Sequence, residues 1–311
     1  VATTADSLVS RVLRGCHWPT GDGNAPLSYA EILQVADELI EGEFYPQLFS
    51  SGDGEDYYLS ALDYAITAAQ RLYRLPKRSM GPISDVVLVS ADGDETSIDK
   101  VEAYKRAERG YTQGGGSGAV SGYSHSFEGD FIALFPTPSS TDGTTLRIKY
   151  PRQPSALALV ATCSAIVTFT STTEIVVGDG TLFSGGDDVD VIGQGNAFHG
   201  LSYEKTIASI ATDTLTMTDA VNALTEAGDW VAPVNTTPLV QLPNGLHAAL
   251  VRAVVIGCLR ANGENAEADS LEREHVRLLK AVSPKPRSRA EVPVVRASNS
   301  PLRAIIGGGR W

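Results

Sequence analysis

Residues 160–235 hold ten acids against a single base, Lys205, and consist almost wholly of short β-branched runs. Ser164–Thr170, Glu174–Val177, Val189–Ile192, Thr206–Ile210 and Thr214–Thr218 are such runs, with Gly and Asp turns between them. Gly186-Asp187 and Gly228-Asp229 each open a further strand-like phrase. β-Branched side chains suit a pleated surface, and Gly and Asp supply tight turns. The segment therefore reads as a small barrel or sandwich of about five or six strands.

Its flanks read differently. Thr4 is placed to cap a short helix carrying Leu8, Val9, Val12 and Leu13, with Gly15 as its stop. Ser28 and Glu31 have capping-box spacing ahead of Ile32, Val35, Leu39 and Ile40, and Gly42 reads as the end of that run. Leu59, Leu62, Ile66, Ala69 and Tyr73 step by three and four, which predicts one face of an amphipathic helix. Residues 83–150 turn to strands at Ile83–Ser90, Phe131–Phe135 and Thr144–Tyr150, with a Gly/Ser loop at Gln113–Gly122. After Pro243-Asn244-Gly245, Leu250, Val254, Cys258 and Ala261 share a helix face, Asn262-Gly263 stops it, and Glu264–Val282 forms a second helix.

At roughly 100–200 residues per domain, 311 residues make two domains or one with a large insertion. The expected fold class is α+β: a helical bundle from the N- and C-terminal helices, a middle β-sheet, an inserted small barrel or sandwich, and an extended C-terminal arm. The divisions are 1–159, the helical body with β-sheet; 160–235, the inserted β domain; 236–283, a helical hairpin completing the body; and 284–311, the arm. No basic, apolar leader opens the chain and no run of about 18 apolar residues occurs, so neither a secretory signal nor a membrane span is expected. Cys16, Cys163 and Cys258 are odd in number and widely spaced, which argues against a disulfide framework or a Cys-x-x-Cys zinc site and fits a reducing cytoplasm.

Net charge is −12, distributed as −8, −9, 0 and +5 over these four divisions. So acidic a chain is a poor general binder of nucleic acid, because phosphate affinity needs clustered Lys and Arg. Catalytic motifs are missing. The histidines form no metal-binding helical pair, Gly116-Ser117-Gly118 is no rigid nucleophile mount, and Gly178-Asp179-Gly180 lacks the lysine and helix of a phosphate loop. Asp187, Asp188 and Asp190 could gather Ca²⁺, but their alternation with Val189 and Val191 reads as a strand with one wet face. No catalytic residue, metal or cofactor is therefore expected.

Two basic features stand out. Arg71, Arg74, Lys77 and Arg78 cluster around Pro76, placed to touch phosphate, to neutralise helix-end carbonyls, or to contact a neighbouring subunit. The Pro-rich arm ends in Leu302, Arg303, Ile305, Ile306, Arg310 and Trp311, an apolar and Arg/Trp content that suits a segment ordering on a partner.

Several phrases, taken in order, resemble the head–tail adaptor (connector or neck) proteins of tailed bacteriophages. They are Tyr73–Gly81, Ile83–Val89, Phe131–Pro138, Leu146–Pro154, Gln241–His247 and the Arg310-Trp311 end. The resemblance implies a non-enzymatic homo-oligomeric ring, typically of 12 copies, in the virion neck and assembled in the host cytoplasm. It implies a portal protein above, bound by Leu302–Trp311, a tail or tail-completion protein below, DNA passing without specific binding, and no membrane partner. An alternative is another tail or baseplate protein whose β domain binds glycans through Phe183, Phe198, Tyr203 and Trp230, residues that equally suit a barrel core.

Overall fold

The structure, a computed structural model, describes residues 3–21, 23, 25–50, 58–80, 82–101, 123–139, 144–194 and 200–282. It corrects the expected fold class. The chain is mostly β, at 35% strand against 29% helix, and the terminal helices do not form a bundle that frames the molecule. The largest single reason is residues 59–74, where the expected helix is replaced by strands β1 (Leu59–Ala65) and β2 (Leu72–Arg74). The three-and-four spacing there coincides with a second pattern. Leu62, Tyr64 and Ile66 alternate inward, and β1 pairs along its whole length with β8 (Thr145–Pro151).

The helices share a core of their own. Helix α1 (Ala5–Gly15) starts where the Thr4 hydroxyl accepts the Ser7 N–H at 3.2 Å. Helix α2 (Tyr29–Leu39) starts on the capping box, with Ser28 N–H donating to Glu31 Oε2 at 2.7 Å. Gly42 does not stop it; one π-helical turn, Ile40–Phe44, carries the chain straight into α3 (Tyr45–Ser50). Helix α4 (His247–Ala261) is apolar nearly all round and lies against α1, α2 and α5 (Asn265–Val282). With the turn before it, Asn244–Ala261 is long and apolar enough to cross a membrane by length and composition, yet much of it is buried among these helices. A helix this apolar needs most of its surface covered, and this packing covers it except at positions such as Ala248, Arg260 and Ala261.

Two four-stranded sheets share the second core. One runs β1–β8–β3–β4 with β3 at Asp85–Val89 and β4 at Glu95–Ser97. The other runs β2–β7–β6–β5 with β5 at Asp99–Lys100, β6 at Ser124–Glu128 and β7 at Phe131–Phe135. Val86, Leu88, Leu146 and Ile148 of the first meet Tyr73, Ile132 and Leu134 of the second.

The third core lies inside a closed barrel. Its order is β10–β11–β14–β13–β12–β15, from β10 (Ser164–Ser171), β11 (Glu174–Val177), β12 (Asp188–Ile192), β13 (Gly200–Ala211), β14 (Thr214–Met217) and β15 (Trp230–Pro233). Ile166, Ile175, Val189, Val191, Ile207, Leu215 and Val231 fill it. Closure leaves no free sheet edge to pair with other chains. The chain enters and leaves the barrel through a parallel pair, β9 (Ala156–Leu157) beside β16 (Thr236–Thr237).

Candidate functional site

The most polar buried ground lies where sheet, barrel and helical core meet. Arg152 follows β8. Its N–H donates to Tyr58 O at 2.9 Å, and its carbonyl accepts the Tyr45 hydroxyl at 3.0 Å. These bonds hold the backbone, and the side chain reaches toward the barrel. Its Nη2 stands 3.6 Å from Asp190 Oδ2, and its guanidinium lies 3.2 Å from the Tyr203 ring centroid.

Asp190, on β12, is fully buried, which corrects its reading as a wet-face residue. Oδ1 accepts the Glu204 N–H at 2.8 Å and Oδ2 the Asn235 N–H at 2.9 Å. Glu204 and Asn235 have φ of 50° and 63°, a left-handed backbone in which their N–H groups meet one carboxylate. Burial pushes the Asp190 carboxyl up, opposed by those two N–H groups and by the Arg152 and Arg78 charges.

Arg78 completes the junction. Nη1 donates to Asn235 Oδ1 at 2.9 Å and lies 3.4 Å from Ser155 Oγ, while Nη2 donates to Pro154 O. Its pKa is drawn down by burial first and by the neighbouring Arg152 charge second. Ser155 N–H in turn donates to Gln241 Oε1 at 2.7 Å, and Gln241 O accepts the Tyr58 hydroxyl at 2.8 Å. Beside the junction a cavity of about 590 Å³ is lined by Lys77, Arg78, Arg152, Glu204 and Lys205, with β1 as its opposite wall.

The four bases around Pro76 therefore do not act as one patch. Arg71 pairs with Glu128 and lies 4.7 Å from the Phe135 ring centroid. Arg74 is exposed on β2, so no helix end is present for it to neutralise. Lys77 and Arg78 face the cavity instead. Leu302, Arg303, Ile305, Ile306, Arg310 and Trp311 lie outside the described residues, as does the loop Gln113–Gly122.

The acids at and before β12 have separate partners. Asp187 Oδ2 accepts the Ser184 N–H at 2.7 Å and Asp188 Oδ1 the Thr206 hydroxyl at 2.7 Å, while Asp190 is buried at the junction on the barrel's outer face. Among the described residues no three His, Cys, Asp or Glu side chains gather as a metal site. Phe183 belongs to the barrel core, Tyr203 covers Arg152, Trp230 packs beside Ile192 and Leu239, and Phe198 lies outside the described residues. Burial raises the thiols of Cys16 and Cys258 to about 12 and of Cys163 to about 11, far from nucleophilic at neutral pH.

The sequence puts Arg152 in an adaptor-like phrase and Asp190 on a wet strand face, but no local signal pairs them. They are 38 residues apart, and each looks like an ordinary polar residue beside a strand. No protein-family model matches the chain, and no curated protein matches it.

Proposed function

We propose that this protein is a structural head–tail adaptor of a tailed phage, forming an oligomeric ring beneath the portal through which DNA passes. One observation carries the reading. Three of the phrases that resemble adaptor proteins, far apart in sequence, meet in the single junction described above. Tyr73–Gly81 brings Arg78, Leu146–Pro154 brings Arg152 and the Pro154 carbonyl, and Gln241–His247 brings Gln241. Their polar groups bond one another and the backbone, so they hold three cores in fixed relation. A rigid junction of this kind suits a part that transmits position between a capsid and a tail.

Charge supports the same reading. A closed ring uses heterologous contacts, so each subunit presents two different complementary surfaces. The −9 of residues 160–235 and the +5 of residues 284–311 offer opposite signs for such contacts, and carboxylates near a channel repel passing phosphates. Leu302–Trp311 is the segment assigned to the portal.

The test is the particle mass of the purified chain, alone and mixed with the matching portal ring, repeated with residues 300–311 deleted. A fixed multiple of full-length chain on the portal, lost with the deletion, is the expected result. A full-length chain that never joins the portal overturns the adaptor reading.

A further inference from the structure

We propose that the cavity between β1 and β13 is a binding site for a phosphate group, free or carried on a small organic molecule. The first argument is charge. Lys77, Arg78, Arg152 and Lys205 line the cavity, in a chain whose net charge is −12. Two carboxylates also line it, and one of these is already engaged. Asp63 is held by Arg147 through two bonds of 2.8 Å, which leaves Glu204 as the nearest free acid. Asp190, behind Arg152, pairs with it at 3.6 Å, so it offsets one of the four cations. The cations therefore outnumber the carboxylates available to them.

The second argument is burial. The Arg152 side chain is only 8% exposed, and its Nε and Nη2 have no hydrogen-bond partner among the described residues. Asp190, 3.6 Å from Nη2, answers that charge without a hydrogen bond. Both unbonded nitrogens are closed to solvent, so an anion in the cavity meets chiefly Lys77, Arg78 and Lys205. Arg78 adds a second partly buried cation, and mutual repulsion with Arg152 is among the causes that lower its pKa. An oxyanion beside Arg78 offsets that repulsion.

The third argument is presentation. Ser79 N–H reaches back to Pro76 O at 3.4 Å, so Lys77 and Arg78 occupy the middle of one turn and both face the cavity. Ser60 and Ser202 add hydroxyls to the lining. Arginine offers a planar fork of donors and lysine a point charge, and phosphate oxyanions accept from both. At about 590 Å³ the space exceeds a bare phosphate and falls in the size range of small-molecule sites. Tyr150 and Tyr203 give it aromatic walls for an organic body.

The inference does not depend on the adaptor reading, and its test uses the full chain without any partner. Inorganic phosphate is titrated and followed by ³¹P NMR, with thermal unfolding measured in phosphate and in chloride at matched ionic strength. Saturable broadening of the phosphate signal is expected, with a thermal midpoint raised by roughly 3 °C at tenfold excess over Kd. The doubly substituted Lys77→Ala, Lys205→Ala chain changes side chains at the cavity rim, away from any core, and is expected to bind about tenfold more weakly. A general salting effect of phosphate would act equally on both chains. Competition by a nucleoside monophosphate identifies a phosphomonoester site, and its absence identifies one for the free anion. The proposal fails if broadening is not saturable, or if the doubly substituted chain matches the parent.

Discussion

Asp37 shows what one buried carboxylate does to this molecule. Both its oxygens accept the Leu157 N–H, at 2.9 and 3.1 Å, joining α2 to β9. Burial raises its pKa from 3.8 to about 7, helped by the nearby Glu41 charge and opposed by the Leu157 bond. The folded state therefore holds a proton that the unfolded chain releases. Below pH 3.8 both states are protonated and Asp37 has no effect. Between 3.8 and about 7 stability falls as pH rises, and above 7 the loss is complete and constant. Asn at this position keeps an acceptor for Leu157 and has nothing to titrate. The urea midpoint of Asp37→Asn is thus expected to gain on the parent steadily from pH 4 to 7 and then run parallel to it. Parallel behaviour over the whole range would contradict this account. Asp190 teaches a related lesson about reading sequence. Its alternation with Val189 and Val191 does put it on the face away from the barrel core, but a distant Arg152 and the N–H groups of Glu204 and Asn235 cover that face, so it is buried and not wet. No local pattern encodes such a partnership.

At the level of elements, caps and stops were legible because they are local chemistry. Thr4, the Ser28–Glu31 box and Asn262-Gly263 mark helix ends with groups that bond within a few residues. The stretch 59–73 was misread because its apolar residues fit two periods at once, and pairing with β8, some 85 residues on, decides between them. Gly42 failed as a stop since a glycine inside a helix costs only about 1 kcal/mol, which tertiary packing readily offsets. Gly257 has a different role. A Cβ there would stand 2.8 Å from Val35 Cγ1, so its lack of side chain sets how closely α2 and α4 approach. Gly257→Val is expected to cost about 1–3 kcal/mol by forcing these helices apart, read from the urea midpoint at unchanged m-value. A stability equal to the parent's would mean that the helices are not in this contact.

For the whole molecule, three large apolar cores are joined through polar bonds and through a small fourth cluster of Cys163, Ile192, Ala232 and Leu239. The barrel core shares no member with the helical core or the sheet core, and the Arg152–Asp190 junction bridges the gap. Separate cores open with separate free energies. Native-state hydrogen exchange in mild denaturant is expected to place the amides of Val189, Ile207 and Leu215 in one opening class and those of Leu250, Val254 and Cys258 in another. A single common opening energy would show that the junction couples the cores fully. The chain's first described residues add a mechanical consequence. Ala5 N–H bonds Pro238 O at 2.8 Å and Val240 N–H bonds Thr3 O at 2.9 Å, so the segment before α1 is zipped to the segment leaving the barrel. Tension applied between Thr3 and α5 crosses that zipper in a few residues and passes into α4. The sheets and the barrel hang on a slack loop, outside the line of force.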